Sequence, residues 1–349
     1  MPPPSWHSLV CRDARMALVY RGLRDRWHAV AEAYDLWHCR GCGLYWLDPL
    51  PRIVAETDTH YPADYHAYHR EEFSERRRPL ARFRSALRRD MLATFFGYPV
   101  ASSARTGWRR ALLRTVLPFF GGRATYGLGP RFPVFVPGGR LLEVGVGDGA
   151  VLRLLRDLGW SVGGVDISPV ACEVARTRYG ILVHQGELAT AQLPDASYDV
   201  ILMSHVLEHA SDPLVTLERA RSLLSPRGNL IVVVPNAGAL GFKLFGRYWG
   251  YLDPPRHLWQ FSMANLQALA ARAGLRVLQK GSLSTLAAAV PWVSWCCYRV
   301  EARNADKTPP SPSPVAFRAF GTLLGLAEAT LVSFGSTSGE EIFVIGGRT

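Results

Sequence analysis

The feature that most constrains the fold is a regular alternation of short apolar runs and helical runs between residues 140 and 280. The strand-like runs are residues 140–146, 161–167, 181–184, 198–203, 229–234 and 275–279, and residues 341–345 add a seventh. Helical patterns lie between most of the first six runs, and the run at 229–234 is continuously apolar, as expected for a strand covered on both faces. This order predicts a doubly wound α/β sheet.

Composition divides the 349 residues into four predicted regions. Residues 1–50 hold three of the six cysteines and form a ribbon-like segment. Residues 51–137 are aromatic and then Arg-rich, and are interpreted as a helical connector or lid. Residues 138–281 form the core. Residues 282–349 supply two apolar helices around a Pro-rich break, and the last core strand.

A Gly-rich turn follows the first predicted strand, with the sequence Glu-Val-Gly-Val-Gly-Asp-Gly at residues 143–149. Gly145 and Gly147 allow a tight turn and a close approach of the backbone to a ligand, while Gly149 lets the next helix start near the strand. The third glycine comes one residue earlier than in the dinucleotide-binding fingerprint, and the P-loop Lys-Ser/Thr is absent. A nucleotide-type site and a simple tight turn are both open at this point.

Acidic residues follow the next two predicted strands. Asp166 ends the second strand, where a carboxylate can accept hydrogen bonds from both hydroxyls of a ribose. Its other explanation, a helix N-cap, is already met by Ser168. Glu187 and Leu188 follow the third strand, where a carboxylate and a backbone N–H can contact adenine. The pattern favours an adenosine-containing ligand.

Six segments of the core resemble class I S-adenosylmethionine-dependent methyltransferases in sequence, order and spacing. They are residues 143–149, 165–168, 193–201, 204–213, 224–230 and 234–236. Residues 253–262 are similar to a segment of a bacterial small-molecule subgroup with a ribbon-like N-terminus. The resemblance implies a Rossmann-like methyltransferase fold with seven strands, mostly parallel, the last one antiparallel. It also implies S-adenosylmethionine as the cofactor.

The resemblance assigns cofactor roles residue by residue. The residues placed at S-adenosylmethionine are Glu143, Gly145, Gly147, Asp148, Gly149, Asp166, Ile167, Glu187, Leu188 and Ser204. Glu143 would act near the methionine amino group, Asp166 would hold the ribose, and Ile167 would pack on adenine. Ser204 and His205 would lie near the methyl group.

Three histidines, His205, His209 and His257, are candidate catalytic residues. The sulfonium is already activated, so the enzyme mainly aligns the acceptor and excludes water. A general base is needed only for a hydroxyl or protonated amine, and imidazole suits that task near pH 7. His205 and His209 share a face if their turn is helical, but no third ligand indicates a metal there. The alternatives are that His209 braces its loop and that Arg256 and His257 meet an anionic acceptor.

The N-terminal cysteines match part of a zinc ribbon. Cys39 and Cys42 form one Cys-x-x-Cys knuckle, and the upstream pair of the resembled subgroup is reduced here to Cys11, with His7 nearby. Three thiolates and one imidazole are an accepted structural zinc set. Zinc at these four residues and a ribbon packed without metal are both open.

Charge and apolar patterning bear on partners and location. The formal net charge is +11, and arginines interleave with apolar residues between positions 70 and 114. This is typical of a helix on an anionic membrane surface, but a solvated face and helices that roof the active site are alternatives, and the roof is favoured. No RNA-reading module is visible, which disfavours nucleic acid as a partner. The N-terminus lacks a signal-peptide pattern, which predicts a cytoplasmic protein, peripheral at the inner face of the membrane if the basic zone binds lipid.

The predicted function is in-line methyl transfer from S-adenosylmethionine to a small-molecule acceptor, of hydroxyl or sugar type and lipid-linked if a roof faces the membrane. The alternative is a membrane-associated protein with a vestigial cofactor-binding fold, which the basic zone and the incomplete ribbon favour. A nicotinamide dehydrogenase is a third class, and the early third glycine disfavours it.

Overall fold

The computed structural model describes residues 11, 15–26, 32–55, 89–100, 132–284, 287–304 and 314–348. His7 and most of the Arg-rich region lie outside these residues, so the predictions made for them stay predictions. In chain order the strands are β1 (Met16–Arg24), β2 (Ala33–Cys39), β3 (Tyr45–Asp48), β4 (Arg140–Val144), β5 (Ser161–Asp166), β6 (Val183–Gln185), β7 (Tyr198–Ser204), β8 (Leu224–Pro235), β9 (Trp259–Gln260), β10 (Leu275–Leu283) and β11 (Glu341–Arg348). The α-helices are α1 (Leu50–Ala55), α2 (Ala150–Asp157), α3 (Pro169–Tyr179), α4 (Pro213–Leu223), α5 (Leu240–Phe245), α6 (Met263–Arg272), α7 (Val290–Asn304) and α8 (Pro314–Ser333).

The alternating region and β11 form a seven-stranded sheet in the order β10-β11-β8-β7-β4-β5-β6. The strands from β8 to β6 pair in parallel, and β11 runs antiparallel to both of its neighbours. The predicted doubly wound sheet with an antiparallel last strand is therefore confirmed. The strand order reverses at β4, so the carboxyl ends of β4, β5 and β7 border the crevice in which such sheets bind ligands.

Local sequence explains the starts of α3 and α6. The Ser168 hydroxyl accepts a hydrogen bond from the N–H of Ala171 and caps α3, with Pro169 in its first turn. Helix α6 begins with a capping box between Ser262 and Asn265. Several predicted strand ends differ from the structure, and the largest difference is at β8, which starts at Leu224 rather than at 229, because Leu224 already pairs with Tyr198 of β7.

A smaller antiparallel sheet, in the order β1-β2-β3-β9, lies at the N-terminal part of the chain. Its fourth strand comes from the region of the core: Trp46 of β3 pairs with Trp259 of β9, and the Leu47 N–H donates to the Leu258 carbonyl at 3.0 Å. Trp46, Trp249 and Trp259 are among the largest fully buried side chains. One apolar core thus includes residues of both sheets.

In the C-terminal region the helices α7 and α8 and the strand β11 follow one another in the predicted order. The Pro-rich break predicted between the two helices lies outside the described residues. Gly321 and Gly325 of α8 face Ala288, where an added Cβ would meet backbone atoms. The large apolar residues exposed along and just after α8 are Val315, Phe320, Leu323, Leu326, Leu331 and Phe334. Within the described ranges, none of the helices combines the length and the apolar character needed to cross a membrane.

Candidate active site

The Gly-rich turn lies between β4 and α2, at the point where the strand order reverses. Gly145, Gly147 and Gly149 have φ of 74°, 57° and 75°, in the left-handed region that favours glycine. The Gly145 N–H donates to the Val165 carbonyl at 2.8 Å. A Cβ at Gly145 would collide with Val206, so the turn approaches the segment after β7 closely.

Asp166 joins this turn to the end of β5. Its Oδ2 accepts a hydrogen bond from the Gly147 N–H at 3.0 Å, and its Oδ1 accepts one from the Ser168 N–H at 2.8 Å. Burial raises the pKa of the carboxyl, and these backbone N–H groups oppose that rise. Each carboxylate oxygen has a second lone pair, so Asp166 keeps acceptor capacity. The adjacent Ile167 is 40% exposed, an apolar side chain presented to solvent beside a fixed carboxylate.

Glu187 and Leu188 follow β6 on the same side of the sheet. The Gly186 N–H donates to the Asp166 carbonyl at 2.8 Å, which holds the two loops together. Leu188 is buried, whereas Glu187 is exposed and its Oε2 accepts a hydrogen bond from Ser211 at 3.1 Å. The structure therefore places the residues predicted for ribose and adenine in adjoining loops.

The remaining predicted cofactor residues border the same crevice. Glu143 is buried in β4, and Ser204 is half-buried at the end of β7. The buried Asp148 accepts a hydrogen bond from the Ala150 N–H at 3.2 Å, at the start of α2.

His205 follows Ser204 directly and adopts φ of 57°, which is uncommon for a residue with a side chain. Its Nε2 lies 2.6 Å from Glu341 Oε1, and its Nδ1 lies 3.3 Å from Glu208 Oε1. Burial alone lowers the pKa of His205, but Glu208 and Glu341 overcome this and raise it to about 9. His205 is thus a cation at neutral pH, held between two carboxylates.

His209 and His257 lie against each other, with ring centroids 4.7 Å apart. Their Nδ1 atoms lie 2.9 Å from the Arg256 carbonyl and 2.7 Å from the Tyr251 carbonyl, respectively. Burial and the neighbouring His257 lower the pKa of His209 to about 4. The predicted turn is a single 3₁₀ turn, Leu207–His209, which brings Glu208 and His209 rather than His205 and His209 towards His257.

Glu208 is the centre of this group, and the sequence did not identify it as functional. Burial raises the pKa of its carboxyl, but the three histidines outweigh burial and lower it to about 2. Glu341 was also missed, because it begins a strand that is 136 residues away from His205 in sequence. The only signal for Glu208 was its place inside the segment 204–213.

Arg256 is enclosed rather than available to a ligand. Its Nη1 and Nη2 donate to the two carboxylate oxygens of Asp25 at 2.7 and 2.9 Å, and Nη2 also donates to Asp253 at 2.6 Å. Arg256 and Asp25 side chains are 0% exposed. The prediction that Arg256 meets an anionic acceptor is therefore wrong, since its charge is already matched by two buried carboxylates.

The N-terminal cysteines converge. Cys11, Cys39 and Cys42 each offer a sulfur within 4.8 Å of the others, and the first two sulfurs are 3.9 Å apart. Cys39 ends β2 and Cys42 lies in the turn that follows it. The predicted fourth ligand, His7, lies outside the described residues.

Comparison with known proteins identifies the family. Residues 106–280, half of the chain, match the model of a methyltransferase domain. A ubiquinone biosynthesis O-methyltransferase of Xanthomonas campestris is 32% identical over 118 residues, 32% of this chain and 49% of that protein. A malonyl-[acyl-carrier protein] O-methyltransferase of Serratia marcescens is 31% identical over 126 residues, which are 36% of this chain and 49% of that protein. The chain spans about half the length of these curated relatives.

A solved S-adenosylmethionine-dependent methyltransferase from Mesorhizobium loti shares 17% identity at a TM-score of 0.42, over 61% of this chain and 92% of that one. The sheet order, the glycine turn and the family match agree with one another. This chain belongs to the class I S-adenosylmethionine-dependent methyltransferase family.

Proposed function

We propose that this protein transfers the methyl group of S-adenosylmethionine to a hydroxyl group of a small molecule. The observation that carries the proposal is the Asp166 carboxylate, fixed by the N–H groups of Gly147 and Ser168 at the switch point of the sheet. A carboxylate fixed in this way accepts the ribose hydroxyls without further reorganisation. The exposed Ile167 beside it offers an apolar face for adenine.

The proposed cofactor site comprises the ten residues predicted from the sequence, because they lie near the carboxyl ends of β4 to β7 or in the turns that follow these strands. Gly145 and Gly147 would line the methionine part, and Glu187 and Leu188 the adenine edge. Glu143 would contact the methionine amino group through the turn. Ser204 would lie nearest the methyl group, at the end of β7.

The proposed acceptor atom is oxygen. Both relatives described above are named as O-methyltransferases, which supports an oxygen atom of a small or carrier-linked molecule as the acceptor. A hydroxyl must lose its proton during transfer, and His209 and His257 are the proposed proton acceptors. Their Nδ1 atoms face backbone carbonyls, so Nε2 is the nitrogen that would accept the proton. Both nitrogens of His205 face glutamates, so we assign His205 a positioning role.

The test is isothermal titration of S-adenosylmethionine into the purified protein, followed by incubation with labelled cofactor and fractionated cell extract. Saturable binding and a labelled product with an O–CH₃ group would support the proposal. Absence of cofactor binding to the folded protein would contradict it. If that protein still bound membranes, the alternative of a membrane-associated protein with a vestigial cofactor fold would be favoured.

A structural zinc ion is proposed at the cysteines. Three converging sulfurs fit the thiolate part of a zinc site, and His7 is the proposed fourth ligand. Zinc would stabilise the turn after β2. Elemental analysis should give one zinc bound through these cysteines, lost in Cys42→Ser and retained in Cys172→Ser. Equal zinc in both variants would contradict the proposal.

Peripheral association with an anionic membrane is proposed for the outward face of α8. Leu323 is 65% exposed and Phe334 is 88% exposed, with Arg318 on the same helix. Exposed apolar residues in a row are costly in water and favour an interface. Cosedimentation with anionic vesicles should fall in Leu323→Glu but not in Leu182→Glu, which alters a leucine before β6 that is 81% exposed. Equal sedimentation of both variants would contradict it.

A further inference from the structure

Two arginines meet where three segments of the chain come together, outside the Gly-rich turn. Arg26 lies just after β1, Arg247 lies in the 3₁₀ turn Gly246–Tyr248, and Glu301 lies on α7. The Arg26 Nη2 donates to the Arg247 carbonyl at 2.6 Å and to Glu301 Oε2 at 3.1 Å. The Arg247 Nη2 lies 2.8 Å from Glu301 Oε1. This group therefore holds two guanidiniums and a single bridging carboxylate.

The aspartates beside this group are directed at another arginine. Asp25, which precedes Arg26, and Asp253 accept hydrogen bonds from Arg256 with both of their carboxylate oxygens. Their charge offsets that of Arg26 at longer range, which makes its burial tolerable. Their oxygens are nevertheless occupied by Arg256. The Nε atoms of Arg26 and Arg247 are buried and have no hydrogen-bond partner among the described residues. A further acceptor would therefore stabilise the pair.

The arginine pair opens to solvent on the side of Arg247. The Arg26 side chain is 3% exposed, whereas the Arg247 side chain is 34% exposed. Within the described part of the chain, Arg247 forms its ion pair through Nη2, and a guanidinium has five N–H donors. The Tyr248 ring lies close to both arginines, with its centroid 5.9 Å from Arg26 Cζ and 6.0 Å from Arg247 Cζ. Arg247 is thus held in place and keeps donors for a second oxyanion.

The segment that carries Arg247 also reaches the candidate active site. The Trp249 Nε1 donates to Glu340 Oε2 at 2.8 Å, which anchors the segment in the core. The Tyr251 ring stacks on His205, with centroids 6.2 Å apart. Four residues of backbone span at most about 14 Å, so the Cα of Arg247 lies within that distance of the Cα of Tyr251. One small molecule is long enough to contact both places.

We propose that Arg26, Arg247 and the Tyr248 ring form a binding site for a phosphate group. Guanidinium groups bind phosphate oxygens through paired N–H donors, and two of them suit an anion with more than one negative charge. Arg247 contacts the phosphate directly, and Arg26 adds its charge from the interior. Glu301 limits the affinity, because its carboxylate competes for the same guanidiniums.

Two sources have this chemistry. The first is a methyl acceptor that carries a phosphate group, and this source rests on the proposed function. The arginines would then hold the acceptor while its reactive oxygen lies near the end of β7. The second is the headgroup of an anionic phospholipid. Helix α7, which carries Glu301, contacts α8 through Trp292 and Phe317, and α8 has the exposed apolar residues described above.

The experiment is a calorimetric titration of inorganic phosphate into the full chain. We expect saturable binding to the parent, weakened about tenfold or more in Arg247→Gln. Glu301→Gln should instead tighten binding, because the guanidiniums lose their competing carboxylate. A purely structural ion pair would give no such increase. The control Arg227→Gln removes an exposed arginine of β8 and should bind phosphate as the parent does.

Vesicles distinguish the two sources. Cosedimentation is compared between vesicles of phosphatidylcholine with phosphatidic acid and vesicles of phosphatidylcholine alone. A loss of binding to the phosphatidic acid vesicles in Arg247→Gln would assign the site to a lipid headgroup. An effect of Arg247→Gln on free phosphate alone would assign it to a phosphate-bearing small molecule.

The parent protein and the conservative variant decide the proposal. If the folded parent binds neither inorganic phosphate nor phosphatidic acid vesicles, the proposal is overturned, whatever the variants do to folding. Native circular dichroism with parental binding of both probes in Arg247→Gln would also overturn it. A chain that binds phosphate through Arg247 but does not bind S-adenosylmethionine would support this site and contradict the proposed function.

Discussion

The two sides of the candidate site are built by different means. On the cofactor side, backbone N–H groups and glycines of short, contiguous segments surround Asp166. On the histidine side, side-chain charges from distant segments meet: His205 contacts Glu341, and Arg256 contacts Asp25, 231 residues away. The first side depends on local backbone geometry and the second on the complete fold. Substitutions should therefore affect binding on one side and stability on the other.

The largest effect is expected on the histidine side, for Arg256→Met. The change removes the guanidinium that pairs with the carboxylates of Asp25 and Asp253, and breaking a buried ion pair typically costs about 3–5 kcal/mol. Urea unfolding of the variant and the parent measures this loss in the free energy of unfolding. The control Arg153→Met breaks an exposed pair with Asp157 and should cost less than about 1 kcal/mol. Similar losses in both variants would remove the proposed contrast between the two sides.

On the cofactor side, Asp166→Ala should change binding far more than folding. Losing the acceptor for the ribose hydroxyls is expected to weaken S-adenosylmethionine binding about 100-fold, equivalent to about 2.7 kcal/mol. Isothermal titration measures the affinity. Asp157→Ala alters an exposed aspartate of α2 and should bind the cofactor as the parent does. Unchanged affinity in Asp166→Ala would refute the ribose role.

The seven-stranded sheet and its turn were predictable because their signals are contiguous. Residues 143–149 and 165–168 carry glycines, an acid and a helix cap within a few positions of one another. The contacts on the histidine side could not be predicted, because no local sequence pattern indicates that Glu341 or Asp25 contacts residues of the core. The two-residue strand β9 was missed for the same reason: it is too short to show any periodicity.

A third prediction concerns Glu328, a buried glutamate of α8. Burial, with a further contribution from Glu340, raises the pKa of Glu328 to about 8, while a free glutamate has about 4.5. Between these values the folded state keeps a proton that the unfolded chain releases, so stability falls as pH rises from 5 to 8. Glu328→Gln should flatten this dependence and raise stability at pH 8 by about 2 kcal/mol. Thermal unfolding between pH 5 and 8 measures the pH dependence of stability. The same slope of stability against pH in Glu328→Gln and in the parent would contradict the prediction.

The smallest effect is expected for Gly145→Ala, compared with Gly138→Ala. Both glycines have positive φ, 74° and 69°, but an added Cβ meets Val206 only at Gly145 and nothing within 4 Å at Gly138. Gly145→Ala should therefore weaken cofactor binding about tenfold more than Gly138→Ala, or about 1.4 kcal/mol. Titration of both variants measures the difference. Equal affinities of the two variants would contradict the prediction, because cofactor binding would then not depend on the close approach of Gly145 to Val206.

The pairing of β3 with β9 limits how this protein can be divided or recombined. A chain shortened to begin at residue 138 would remove the strand that covers Trp259 and the carboxylate that holds Arg256. The N-terminal ribbon therefore cannot be exchanged between relatives as an independent module. Any hybrid would have to carry the loop and strand at 253–260 together with the ribbon, since the two segments share one buried interface.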